Sequence, residues 1–398
     1  MGEDQEIRRL VRIRLTPPIF LMSAFGGKAD TILLLSKSLL IAITGRSWTP
    51  SKNPNNMDWC GEAALPRSSL KESGIMKSID PDYEPDPEVL AKFPDISGNT
   101  VNGFGEPEKR APNPFFWHPP DCQTHGELRE FVMDRFMASR DGGRDWGDVG
   151  DRGPELVEKS PLQEDRSPEE WSELIHKTAL DHEADICGFT AMDPLWIYQG
   201  YEVSEPTLVV LGFAQDYEMM KHAPPRPGNH YSNTEVRKQY NRGARASKQL
   251  ANKIRQLGFN ATPHHGPDAE ALLMIPAAIA AGLGELGKHG SIINRRYGSN
   301  FRLAAVSTDM PLTPHGKDEF GADEFCINCQ VCTNACPPGA ITETKHLVRG
   351  ETKWYVDFDK CIPYFAERLG CALCMVVCPW SRPGIADNLI AKLARREG

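Results

Sequence analysis

"CINCQVCTNACPPGAI" (326–341) carries four cysteines in sixteen residues and runs straight into proline. Its spacing is C-x2-C-x2-C-x3-C-P, from Cys326, Cys329, Cys332 and Cys336. A second set lies in "KCIPYFAERLGCALCMVVCPWSRPG" (360–384). There Cys361, Cys371, Cys374 and Cys378 repeat the x2 and x3 steps and the trailing proline, with the first cysteine set nine residues back. A [4Fe-4S] cube needs four thiolates aimed at one point. A tight loop supplies three and the other motif supplies the fourth, so two motifs build two clusters. Cluster I is therefore expected from Cys326, Cys329, Cys332 and Cys378, and cluster II from Cys361, Cys371, Cys374 and Cys336. The competing reading is two structural zinc sites. Zinc prefers ligand pairs from two knuckles, and neither the C-x2-C-x2-C run nor the trailing C-P follows that habit.

Two such clusters move single electrons and do no substrate chemistry, so the rest of the chain has to receive those electrons. With 398 residues there is room for two or three domains. Eleven cysteines would suit a disulfide scaffold, but eight fall within 326–378 at ligand spacings. Cys60, Cys122 and Cys187 are scattered and read as unliganded, buried thiols. The net charge of −9 argues against a general nucleic-acid or anionic-membrane binder. The one long apolar run, "TILLLSKSLLIAITG" (31–45), is short for a membrane span and is interrupted by Lys37. The basic "RRLVR" (8–12) lies well upstream of it, whereas a signal peptide puts its basic region directly before the apolar one. The expectation is a cytoplasmic protein.

Residues 1–75 show no sustained period and are expected to be a disordered or non-native extension, with Met57 and Met76 as alternative starts. Residues 76–165 are rich in Pro, Asp, Glu and Gly and read as a wrapping segment, with one helix expected at "THGELREFVMDRF" (124–136). An α/β pattern begins at about 166. "SPEEWSELIHKTALDHEADICGFTAM" (167–192) opens on a helix cap, spaces Trp171, Leu174, Ile175 and Ala179 helically, and ends as a strand. "TLVVLGFAQD" (207–216) and "FRLAAVSTDMPL" (301–312) read as strands. Between them, 234–262 is expected to start on a Thr234 cap and run helical to Gly258. A small-residue helix with a Gly-rich loop follows (270–293). Helix–strand alternation of this kind argues for a sheet with covering helices. "GLGELG" (282–287) ends a helix instead of opening one after a strand, so it is no dinucleotide fingerprint.

At this point the chain resembles a family. "PAAIAAGLGELGKHGSIINRRYGSNFRLAAVSTDMPLT" (276–313), the first cysteine motif and "DFDKCIPYFAERLGCALCMVVCPWSRPG" (357–384) are similar to the reductive dehalogenases. The most specific parts are A-G-L-G-E-x-G (281–287), the split second motif and C-P-W-S-R-P-G (378–384). The resemblance implies an α+β oxidoreductase that removes halogen from a small organohalide. A nitroreductase-like α/β domain (166–315) would hold base-off corrinoid (cobalamin). A ferredoxin-like two-[4Fe-4S] domain (316–385) and a C-terminal tail (386–398) would follow. Electrons would come from a separate ferredoxin- or flavodoxin-type donor, with no nucleic-acid or membrane partner. The epoxyqueuosine reductases share this architecture, and Gly284, Gly287, Lys288, "CIPYF" and "CPW" fit both patterns. A tRNA-modifying reductase is therefore one alternative, and a corrinoid-free dicluster electron carrier is another. The short spacer in "CIPYFAERLGCALC" and the acidic charge favour the dehalogenase reading.

An ordinary tyrosine, titrating near 10, is a poor acid unless a cation stabilises its phenolate. The family pairs a tyrosine proton donor with a basic residue. Carried over by position, these are Tyr240, in "YNRGARASKQLANKIRQLG", and Arg302, in "NFRLAAV", with Arg368 as a second basic candidate and Tyr231 as a competing tyrosine. Gly282, Gly284, Gly287, Lys288, His289 and Ser291 are expected to line the corrinoid's tail or phosphate, because glycine permits close approach. The alternative there is a plain helix C-cap and turn. His264 and His265 read as a surface pair pointing apart. Trp117 and His118, in "PFFWHPP", are expected either to fold over a substrate mouth or to pack in the core.

Overall fold

The computed structural model describes residues 83–141, 151–267 and 271–395. The expectations for residues 1–75 and for Cys60 lie outside them. Among the described residues no helix is long and apolar enough to cross a membrane.

Helix α1 (Gly126–Asp141) belongs to the N-terminal segment, and α2 (Pro168–Asp181) opens the α/β body. The Ser167 hydroxyl accepts from the Glu170 N–H at 3.2 Å, and the Glu170 carboxylate accepts from the Ser167 N–H at 2.9 Å. This reciprocal box satisfies two N–H groups at the start of α2. The buried stripe of Trp171, Ile175 and Ala179 follows at helical spacing.

Strands β1 (Ile186–Ala191) and β2 (Thr207–Ala214) pair antiparallel. The long helix α3 (Tyr231–Gln256) leads into β3 (Ala261–His265), and α4 (Met274–Ala280) leads into the two-residue strands β4 (Glu285–Leu286) and β5 (Ile292–Ile293). Strand β6 (Phe301–Thr308) completes a four-stranded, all-antiparallel sheet in the order β1-β2-β6-β3. Both faces are covered, so alternate residues enter different cores. Val209, Leu211 and Phe213 of β2 pack with α2 and α3, whereas Leu208 and Val210 pack with α4.

Helix α3 departs from expectation at its start. It begins at Tyr231, one turn before Thr234, whose hydroxyl donates back to the His230 carbonyl at 3.1 Å instead of capping. Gly243, Ala244, Ser247, Leu250, Ala251 and Ile254 form its buried stripe. An added Cβ at Gly243 would meet Ala304 of β6 at 3.4 Å, so the helix lies close on the sheet. Tyr240 is on the same stripe, one turn ahead. Strand β3 was not expected. It is an edge strand, which is where a residue such as Pro263, lacking an N–H, is tolerated.

The cysteine motifs lie on short helices: α5 (Ala322–Asn328), α6 (Val331–Ala335), α7 (Phe358–Glu367) and α8 (Leu373–Val376). Residues 386–394, read as tail, instead form helix α9 (Ala386–Ala394). Its Leu389 and Leu393 pack with Phe320, Trp380, Cys326 and Cys378. The N-terminal segment packs Val89, Phe116, Leu128 and Val132 against Ile362 and Ala366 of α7. The Tyr83 hydroxyl donates to Glu367 at 2.7 Å, and the Gly98 N–H donates to Asp359 at 2.7 Å.

The two adjacent histidines of β3 do point to different partners, but His264 is buried and His265 half-buried. The Ser307 hydroxyl donates to Glu205 at 3.3 Å and so accepts from His264 Nε2–H at 3.0 Å. Burial pushes the His264 imidazole down to about 4. A folded pKa below the unfolded value of about 6.5 gives stability that is full above 6.5 and lost as pH falls toward 4. Between pH 7.5 and 5.5 the wild type should lose about 1 kcal/mol more stability than His264→Gln. Melting curves of both proteins at the two pH values check this.

Candidate active site and dicluster centre

The cysteines gather in the crossed arrangement. Burial and the charges of Cys326, Cys329 and Cys332 push the Cys378 thiol up. In the second group Cys361 is pushed up to about 12 by burial, then by Cys371 and Cys336. Burial pushes Cys371 up to about 11, with Cys336 adding to it. Cys374 is raised by burial, then by Cys371 and Cys361, with Cys332 and Cys336 further down. Thus Cys336 sits among the second set and Cys378 among the first. Ala335 and Val331 of α6 pack on Leu373 and Val377 to close the two motifs together. Buried thiols of this kind are held as thiolates when metal replaces their protons. No three His, Cys, Asp or Glu side chains among the described residues converge tightly enough for a single metal ion. Two sulfurs also receive backbone N–H groups, from Lys288 to Cys326 at 3.4 Å and from Ala340 to Cys336 at 3.3 Å.

The Gly-rich loop serves the protein's own packing. Cβ atoms added at Gly282, Gly284 and Gly287 would lie 2.6 Å from the Gly316 carbonyl, 2.1 Å from the Ile293 carbonyl and 2.7 Å from the His289 ring. Gly284 also has φ +149, a conformation that side chains rarely adopt. The close approach expected toward a corrinoid is therefore made to β5 and its neighbours. Glu285, between these glycines, accepts the N–H groups of Phe320 (2.6 Å), Ala322 (3.1 Å) and Asp323 (3.0 Å). It caps the helix that carries Cys326, where a carboxylate satisfies orphan donors and the helix dipole. His289 is buried and pushed down to about 4 by burial; its Nδ1 accepts the Ser291 N–H at 3.2 Å, and Nε2 lies 2.9 Å from the Ser299 hydroxyl. The Lys288 ammonium lies toward the Ile327 carbonyl, at 3.5 Å, and over the Trp354 ring. Of the six loop residues, only Ser291 lines the cavity described next.

That cavity, of about 230 Å3, brings Tyr240 and Arg302 together. Leu272, Ile275, Ile292, Phe301 and Leu303 supply its apolar side, and Trp117 and His265 also line it. The Arg302 guanidinium sits 5.5 Å from the centre of the Tyr240 ring, and its buried Nε has no hydrogen-bond partner among the described residues. Gly266 makes room for the ring, since a Cβ there would lie 2.3 Å from it. Arg152 braces this corner, donating to the Gly266 carbonyl at 2.7 Å and lying 3.1 Å from His265 Nδ1.

Residues 325–381 match the 4Fe-4S dicluster domain family. The tetrachloroethene reductive dehalogenase of Dehalobacter restrictus is 31% identical over 224 residues, 53% of this chain and 39% of that protein. The chain is reductive dehalogenase-like. It spans about two fifths of the length of that curated relative. The solved structure of the catabolic reductive dehalogenase NpRdhA in complex with 3-bromo-4-hydroxybenzoic acid shares the fold. Its TM-score is 0.59 at 21% identity, covering 81% of this chain and 49% of that one. The epoxyqueuosine reductase of Escherichia coli is 32% identical over 159 residues, 34% of this chain and 38% of that protein.

In this dehalogenase-like chain the other candidates lie elsewhere. Arg368 stacks on Tyr364 at 5.3 Å, on the helix of the second cysteine motif. Tyr231 is half exposed and its ring lies tilted against His222. His118 is fully buried against Tyr198, whereas Trp117 reaches the cavity. Cys187 packs beside the core as expected, but Cys122 is exposed. The sequence reading missed Glu285 and Gly266. The contacts that give them meaning are 35 and 26 residues distant along the chain, at Phe320 and Tyr240.

The reassigned glycine loop is directly testable. Gly284→Ala should destabilise the metal-free protein by about 2 kcal/mol or more, since a Cβ there meets backbone at forbidden range. Gly316→Ala, with nothing within 4 Å, should stay within about 0.5 kcal/mol of wild type. Thermal melts of the metal-free proteins check both.

Proposed function

We propose that this chain is a corrinoid- and iron–sulfur-dependent reductase acting on an organohalide. Electrons from a ferredoxin- or flavodoxin-type donor would pass through two [4Fe-4S] clusters, held by the two crossed sets of four cysteines. The observation that carries the reading is the Arg302 guanidinium set over Tyr240 inside a small, apolar-walled cavity. The fold match and the dicluster match support it. The finer expectation, a nitroreductase-like corrinoid domain, is part of the same proposal.

Several buried polar atoms bear on the fit of a corrinoid. Gln215 Nε2 and Oε1, Ser232 Oγ, Asn300 Oδ1, Trp380 Nε1 and Arg382 Nε are buried without a hydrogen-bond partner among the described residues. Buried polar groups normally have partners, and each exception calls for an explanation. Gln215 and Asn300 are neighbours through a 2.8 Å backbone bond, and Asn300 donates to the Ser381 carbonyl at 2.9 Å. These donors and acceptors suit a ligand rimmed with amides, and Gln215, Ser232, Asn300, Trp380 and Arg382 would hold it. A bound corrinoid would supply the low-potential electrons that break a carbon–halogen bond.

The chain's own residues do the remaining work. The cavity would admit a small halogenated ring or alkene, the two kinds of molecule named for its relatives. The Tyr240 hydroxyl donates the proton that replaces halide on carbon. Arg302, set over the Tyr240 ring, balances the negative charge left when the proton leaves. Trp117 closes one side of the mouth.

Tyr240→Phe and Arg302→Met should each lower dehalogenation by about 10²–10⁴-fold, with iron content unchanged. Tyr231→Phe should keep the wild-type rate. Halide release from a panel of halophenols and chloroalkenes checks this, and Tyr240→Phe turning over at the wild-type rate would remove Tyr240 as proton donor. Turnover of epoxyqueuosine-modified tRNA in place of organohalides would establish the alternative reading.

A further inference from the structure

Lys288 is among the largest fully buried side chains, at 1% exposure. Lysine is almost never fully buried unless its charge is paired. Here the protein supplies little pairing. The ammonium lies 5.0 Å from the centre of the Trp354 ring and donates to the Ile327 carbonyl at 3.5 Å. The nearby carboxylates are already engaged. Asp323 accepts from Lys345 at 2.6 Å and from the Trp354 indole N–H at 2.6 Å, and Glu285 accepts three backbone N–H groups. Among the described residues no carboxylate forms an ion pair with Lys288. A cation buried without a counter-charge costs several kcal/mol, and a negative charge beside it would offset that cost.

The first cysteine set is what lies next to it. The Lys288 N–H donates to Cys326 Sγ at 3.4 Å, and its ammonium reaches the carbonyl of the following residue, Ile327. A [4Fe-4S] cube bound by four thiolates is an anion, and each one-electron reduction adds a further negative charge. Net charge and hydrogen bonds to the sulfurs are among the factors that set its potential. We propose that Lys288 is the counter-ion of the cluster held by Cys326, Cys329, Cys332 and Cys378, and that its buried charge raises that cluster's reduction potential. Lys288 is a positioning residue in this account, since it touches no substrate. The inference rests on the two-cluster reading above.

The test is an EPR-monitored redox titration of anaerobically reconstituted wild type, Lys288→Met and Lys288→Arg. Methionine keeps the bulk and removes the charge, and arginine keeps the charge. Lys288→Met should shift the one-electron equilibrium of one cluster at least tenfold toward the oxidised form, about 59 mV lower. The other cluster should be unmoved, and Lys288→Arg should stay near the wild-type potential. Loss of that one cluster in Lys288→Met, with both retained in Lys288→Arg, supports the same conclusion. Unchanged potentials in Lys288→Met overturn the proposal. So does loss of the cluster in both variants, which would mark a packing role. A wild type showing fewer than two cluster signals breaks the two-cluster reading first, and the proposal with it.

Discussion

The crossing of the two cysteine sets is the constraint on which the rest depends. Cys336 leaves the first run to join the second, and Cys378 leaves the second to join the first. In the proposed two-cluster arrangement neither motif is complete alone, so 326–336 and 361–378 have to be packed against each other before either can close. The same crossing ties the dicluster body to the sheet. After Cys378 the chain runs into Trp380 and Ser381. The Ser381 hydroxyl accepts the Ser299 N–H at 3.0 Å, and its carbonyl accepts from Asn300 at 2.9 Å. Gly298 lies so close to Trp380 that a Cβ would sit 2.3 Å from its carbonyl. Strand β6 begins one residue after Asn300, and Arg302 is its second residue. One continuous set of contacts therefore leads from a cluster thiol to the cation beside Tyr240.

Charge burial organises the site on either side of that path. Arg302 spends its charge on the Tyr240 ring in an apolar cavity, and Lys288 holds an ammonium against Trp354 beside Cys326. In water both would be weak interactions. In a low-dielectric interior they are strong, and an unmatched charge there is costly. The buried atoms Gln215 Nε2 and Oε1, Asn300 Oδ1 and Arg382 Nε, without a hydrogen-bond partner among the described residues, carry a cost of the same kind.

Much of this was legible in the sequence because it is local. The capping box of α2, the strands at 186–191, 207–214 and 301–308, and the two cysteine sets each declare themselves within a short window. The pairing of Tyr240 with Arg302 was readable only through resemblance, since no spacing links a helix stripe to the start of a strand 62 residues on. Less legible were the neighbours of "GLGELGKHGS". Its glycines, His289 and Lys288 looked like a cradle for a large ligand. The close contacts of those glycines are instead with Gly316, Ile293 and His289, and Lys288 turns toward the first cysteine set. Sequence shows that a glycine permits close approach, but not what approaches. β3 was missed for a related reason. "ATPHH" has weak strand character, and it becomes a strand because β6 offers it an edge.

The most direct test of the central claim is a count of metals on the whole chain, produced anaerobically with cobalamin present. Iron, acid-labile sulfide and cobalt would be measured together with the UV–visible spectrum. The account predicts about eight irons and one cobalt per chain, with a base-off corrinoid band. Eight irons with no cobalt would contradict it and leave a dicluster electron carrier, and four irons or fewer would contradict the crossed pair of clusters itself.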